Sequence, residues 1–152
     1  MKSLKTKILL DTTYMLPIVG IHVEHIERVL VLLRKLYTKR TIEVYYTPFN
    51  MFEILGKLAK IRYSKERVVL GLASIKEAFK VAYPTMEGYL KALELRRKGF
   101  KDLIDLLLYV TSFTRKIWFL TRDIELIEFL RKQGEDISYV IYEEDFLKKH
   151  KI

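Results

Sequence analysis

Lys7-Ile8-Leu9-Leu10-Asp11-Thr12-Thr13 is the stretch from which the rest of the chain can be read. Ile8, Leu9 and Leu10 form a short apolar run, the pattern of a strand buried on both faces of a parallel sheet. Asp11 then falls at the carboxyl end of that strand, the edge where open α/β sheets assemble their sites. Three other acids lie in similarly apolar settings. Glu53 sits between Met51-Phe52 and Ile54-Leu55, Asp105 lies within DLIDLLLYV, and Asp123 follows WFLTR. Carboxylates are rarely buried without a partner, so four of them in apolar segments ask for a common explanation.

The order of elements predicts how they meet. From about His22 to Lys39 the residues Val23, Ile26, Val29, Leu30, Leu33, Leu36 and Tyr37 recur at helical spacing. Ile42 to Tyr46 is β-branched and aromatic, a second strand. Thr47-Pro48 opens a helix, a capping hydroxyl before proline at the first helical position, and that helix runs to about Ile61. Ser64 caps another, from Lys65 to about Val81, with a weak strand around Val81 to Tyr83. Pro84 separates it from a helix over about Met86 to Lys98, which Gly99 stops. Asp102 opens a helix to about Phe113, Ile117 to Leu120 is a strand, and Asp123 caps a helix ending near Gly134. Ile137 to Tyr142 is a last strand, followed by a short charged tail. Strands alternating with helices predict a three-layer α/β/α sandwich around a central, mostly parallel sheet of four to five strands.

At 152 residues, half of them hydrophobic along the whole length, the chain is expected to form a single domain spanning residues 1–152. No apolar run approaches the ~20 residues of a membrane span, and the N-terminus lacks the apolar core of a secretory signal. There is no cysteine, hence no disulfide framework and no thiolate zinc site. These features point to a cytoplasmic protein with no membrane partner. The formal charge of +9 favours polyanionic partners, nucleic acid first. Part of that charge has a local explanation. Arg34, Lys35, Lys39 and Arg40, like Arg96, Arg97 and Lys98, fall where helices end and where cations suit the helix dipole.

Magnesium and manganese prefer oxygen ligands and are held by a few carboxylates plus water. Two such ions about 4 Å apart can activate water and stabilise the leaving oxygen of a phosphodiester. That chemistry needs acids converging from different elements, and Asp11, Glu53, Asp105 and Asp123 come from four. Each also has a plainer use. Asp11 and Asp123 can cap the turns that follow them, Glu53 can sit at the positive end of its helix, and Asp102 reads as the N-cap of the Asp105 helix. His22 and His25 share a helix face in this reading, but they lack a third ligand nearby. Neither G-x-G-x-x-G nor G-K-S/T follows the first strand, which argues against dinucleotide and P-loop chemistry. A phosphatase of the haloacid-dehalogenase type wants a second Asp where Thr13 stands.

Taken in order, KILLDTT, TPFNMFEI, DLIDLLLYVTS and WFLTRD resemble the PIN domain, a small α/β metal-dependent nuclease fold, over about residues 7 to 142. Asp11, Glu53, Asp105 and Asp123 match its four acids in sequence. The 18 residues from Asp105 to Asp123 are typical of the pattern. Thr121 matches the hydroxyl residue two before the last acid. Leu106, Leu107, Tyr109 and Val110 stand where the family more often has alanines, a change of packing rather than of chemistry. The resemblance implies a ribonuclease using Mg2+ or Mn2+, with Asp11, Glu53, Asp105 and Asp123 as metal ligands and catalytic carboxylates. It implies auxiliary roles for Asp102, Thr13 and Thr121. It further implies single-stranded RNA as substrate, an antitoxin protein as partner in a VapBC-type pair, and a homodimer. The rival from another class is a nucleic-acid- or partner-binding module without catalysis, which would keep the basic surface but need no cluster of acids.

Overall fold

The first strand, β1 (Thr6–Leu10), is the middle of a five-stranded sheet in a computed structural model that describes residues 4–150. Its neighbours are β2 (Ile42–Tyr46) on one side and β4 (Trp118–Thr121) on the other. Outside them lie β3 (Lys80–Val81) and β5 (Val140–Tyr142), giving the order β3-β2-β1-β4-β5 with every pairing parallel. Ile8 stands opposite Val44 in one neighbour and Trp118 in the other.

Alternate residues of a strand face opposite sides, so the apolar run in β1 feeds two cores. Ile8 and Leu10 join Val44, Leu120 and residues of α1 (Glu27–Thr38), α2 (Pro48–Leu58) and α3 (Lys65–Ala78) on one face. Leu9 and Phe119 join α4 (Met86–Arg97), α5 (Leu103–Arg115) and α6 (Ile124–Lys132) on the other. The expected three-layer sandwich is therefore the observed fold. The chain walks outward from β1 to β3, then returns to the far side of β1 as β4. Connections after β1 and β4 consequently diverge, leaving a crevice at the carboxyl edge between them.

Several boundaries differ from the sequence reading. The first helix begins at Glu27 rather than His22, because residues 12–14 and 16–19 form two 3-10 turns and the chain then runs through a loop. Gly20 (φ 94°) and His25 (φ 55°) are left-handed there, so His22 and His25 share no helix face. The third strand is two residues, Lys80–Val81, and the last begins at Val140. The charged tail is helical: α7 (Glu143–Lys149) buries Phe146 and places acids in its first turn and lysines in its last, as the helix dipole favours. Among the described residues no helix is long and apolar enough to cross a membrane.

One contact fixes the 3-10 turns against α3. A Cβ on Gly71 would lie 2.3 Å from the Ile18 carbonyl oxygen. Gly71→Ala is expected to destabilise the protein by about 1–3 kcal/mol, the usual cost of overpacking. A lower urea midpoint at unchanged m-value would register it.

Candidate metal centre

Asp11 leaves β1 in an extended conformation and caps the 3-10 turn Thr12–Tyr14, its Oδ1 accepting the Thr13 N–H at 3.4 Å. Its Oδ2 accepts the Thr121 hydroxyl at 3.0 Å. The same Thr121 oxygen accepts the Asp123 N–H at 3.0 Å. This one buried hydroxyl thus ties the end of β1 to the turn after β4. On the other flank Asn50 donates to the Leu10 carbonyl at 3.2 Å and to Thr12 Oγ1 at 2.9 Å, while its Oδ1 accepts the Thr47 N–H at 2.7 Å. That capping box pins the start of α2 to the end of β1, and Glu53 follows one turn later. Asp102 caps α5 by accepting the Asp105 N–H at 3.1 Å, and Asp123 caps α6 by accepting the Leu126 N–H at 3.1 Å. Capping and clustering are compatible here. The caps of Asp102 and Asp123 each use Oδ1 alone, and Asp11, which caps with Oδ1 and accepts from Thr121 with Oδ2, keeps a further lone pair on each oxygen.

Asp11, Glu53, Asp102, Asp105 and Asp123 line one cavity of about 290 Å³, with Thr12 and Thr13 in its wall. The four acids singled out in the sequence therefore come together, and Asp102 and Thr13 join them. Thr121 stands behind Asp11, fully buried. Burial pushes the Asp11 carboxyl up to about 6; Glu53 and Asp123 add to the rise, against the hydrogen bonds from Thr121 and Thr13. Asp105 is also raised, by burial first, then by its hydrogen bond with the Asp123 carboxyl and the negative charges around it.

Two cations reach this cavity, Lys57 and Arg122. Arg122 is already engaged: Nε and Nη2 donate to Glu143 at 3.0 Å each, Nη1 to the Glu24 carbonyl at 2.9 Å and Nη2 to the His25 carbonyl at 2.8 Å. Tyr14 donates to the same glutamate at 2.9 Å. Lys57 is exposed. Carboxylates held close with no interior cation to balance them make an oxygen-only donor set, which fits a hard divalent ion. The set is open: among the described residues, no three acidic, histidine or cysteine side chains are gathered closely enough to hold an ion by themselves. Magnesium commonly keeps several of its waters in such sites.

The PIN domain family model matches residues 8–132, the span that carries all four acids. The chain belongs to the PIN domain family. Among solved structures it is similar to VapBC2 from Rickettsia felis bound to a promoter DNA fragment, with a TM-score of 0.63 and 16% identity, covering 82% of this chain and 93% of that one. PAE2754 from Pyrobaculum aerophilum aligns with a TM-score of 0.59 and 16% identity over 95% of this chain and 88% of that one. VapC20 from Mycobacterium tuberculosis, described as a sarcin-ricin loop cleaving toxin, aligns at 0.58 and 12% over 79% and 94%. No protein of curated function matches the sequence. In this PIN domain the large residues of α5 are accommodated by the core: Leu106, Tyr109 and Val110 are buried beneath α4 and α6.

Sequence reading did not single out Asn50, Lys57, Arg122 or Glu143. Asn50 had a usable signal, as the third residue after the Thr47 cap. The Arg122–Glu143 pair had none, since its partners lie 21 residues apart on different elements.

Proposed function

We propose that the protein is an endoribonuclease that hydrolyses phosphodiester bonds of single-stranded RNA with Mg2+ or Mn2+. In this reading Asp11, Glu53, Asp105 and Asp123 are the metal-binding carboxylates, with Asp102, Thr13 and Thr121 in support. The observation that carries it is the convergence of these acids, from four separate elements, on one cavity at the switch point of the sheet. The bound metal would activate water and stabilise the leaving oxygen. The chain's own residues do the rest. Asp11 is oriented by the Thr121 hydroxyl and the Thr13 N–H, and Asn50 keeps α2, and with it Glu53, over the same edge. Water attacks phosphorus, the bond to the leaving oxygen breaks, and the water's proton is passed on while the leaving oxygen gains one.

The likeness to VapBC2 and to the toxin VapC20 supports a place as the toxin of a toxin–antitoxin pair. In that place the chain would act in the cytoplasm as a homodimer, held in check by an antitoxin protein. The test of the catalytic reading is cleavage of labelled single-stranded RNA in manganese, which chelation must stop. Within it, Thr121→Val is expected to lower cleavage about 10- to 100-fold, the range for groups that orient metal ligands. Thr121→Ser keeps the hydroxyl and should retain most activity.

A further inference from the structure

The acidic cavity repels the polyanion it is proposed to cut, so cations must hold the strand nearby. The connection from α2 to α3 supplies them. Glu53, Lys57 and Lys60 follow one another at i, i+4 and i+7, so they lie along one side of α2 and its continuation. That continuation keeps helical turn geometry, with the Lys60 N–H donating to the Lys57 carbonyl and the Ile61 N–H to the Leu58 carbonyl, both at 3.2 Å. At 1.5 Å per residue the row spans about 10 Å, starting in the cavity wall and running outward.

Arg62 and Lys65 extend the basic stretch, and Lys57, Lys60, Arg62 and Lys65 are all exposed. Among the described residues the ion pairs are made by Lys80, Lys91, Lys98 and Arg122, and none by these four. Helix ends do not account for the whole group. Lys57 suits the C-terminus of α2, but Lys65 opens α3, where the dipole disfavours a cation. Amid the cations Tyr63 is 57% exposed, an aromatic side chain largely open to solvent.

We propose that this connection is the track for the RNA strand entering the acidic cavity, with Lys57, Lys60 and Arg62 bound to its phosphates and Tyr63 stacked on a base. The proposal rests on the ribonuclease reading for its substrate and adds the surface that binds it. Phosphate contacts carry affinity and salt dependence, while stacking is salt-tolerant, so the two parts can be separated.

The experiment is fluorescence anisotropy of a labelled unstructured RNA with the full chain in chelator, titrated over a range of salt, with melting curves to verify folding. Lys57→Gln/Lys60→Gln/Arg62→Gln is expected to weaken binding about 100-fold at about 0.1 M salt and to flatten the log–log salt slope by about 2. Tyr63→Ala should cost about tenfold with the slope unchanged. Lys57→Arg/Lys60→Arg/Arg62→Lys, which keeps the charge, should bind nearly as the parent does. A triple glutamine variant that binds with parental affinity and slope overturns the proposal, as does a parent protein that does not bind RNA. Parent protein that binds through these residues yet never cuts RNA in manganese overturns the ribonuclease reading and leaves the track standing.

Discussion

Magnesium or manganese, at a hundredfold excess over its dissociation constant, is expected to raise the melting temperature of this protein by about 5–10 °C. A ligand that binds only the folded state at that excess stabilises it by about 2.7 kcal/mol. In a domain of this size each kcal/mol moves the midpoint by about 2–4 °C. The structural reason is the crowding of Asp11, Glu53, Asp102, Asp105 and Asp123 around one cavity, with Arg122 committed to Glu143. Their repulsion is relieved by protons when no metal is bound. Folding raises the Asp11 carboxyl from 3.8 to about 6, and it raises Asp105 as well. The folded chain therefore binds more protons than the unfolded one between those values, and stability from these groups is present at acid pH and lost as pH rises. For Asp11 the loss begins near pH 4 and is complete above about 6; for Asp105 it continues to higher pH. The contribution of Asp11 alone is about 3 kcal/mol. Protons and metal compete for the same oxygens, so the metal-induced rise in melting temperature should be larger at pH 8 than at pH 5.5. Differential scanning fluorimetry with and without manganese at both values measures this. A rise of equal size at both, or none at either, would mean that the cation does not bind these carboxylates.

Asp11→Asn and Asp105→Asn should act in opposite directions on activity and on metal-free stability. Groups that merely orient metal ligands are worth 10- to 100-fold, so loss of a ligand is expected to lower manganese-dependent RNA cleavage by more than about 100-fold. Each substitution also removes a charge that burial and its neighbours oppose. At pH 8 without metal both variants should melt above the parent, and neither should respond fully to manganese. The asparagine amide at position 11 has one acceptor oxygen, which can keep the Thr121 hydroxyl, so the gain at this position is reduced by loss of the long Thr13 N–H cap. A variant that melts below the parent at pH 8 would show that the carboxylate is held by favourable contacts rather than against repulsion.

The parts of this molecule that sequence reveals are those with a strong local cause. Ile8 to Leu10 could hardly be anything but a doubly buried strand, and Thr47-Pro48, Ser64, Asp102 and Asp123 each cap the helix expected of them. Four acids in apolar settings were visible for the same reason. What was hidden depends on contacts distant in the chain. The α7 helix looked like a charged tail because Phe146, the residue that anchors it, is one buried side chain among acids and lysines. The apolar spacing around Val23 and Ile26 imitates a helix, but the positive φ of His25 breaks it and delays α1 to Glu27. Arg122 carries no local signal between Thr121 and Asp123. It joins the loop at Glu24 and His25 to α7, a link that exists only once β4 and β5 pair.

Cleavage of labelled single-stranded RNA by the full chain in manganese, followed by analysis of the product ends, tests the central claim most directly. The account predicts cutting that stops on chelation, returns when manganese is restored, and is lost in Asp11→Asn. It also predicts products without a 2′,3′-cyclic phosphate, because water rather than the neighbouring 2′-hydroxyl attacks phosphorus. Cutting that survives the chelator or Asp11→Asn, or that leaves cyclic phosphate ends, would contradict it.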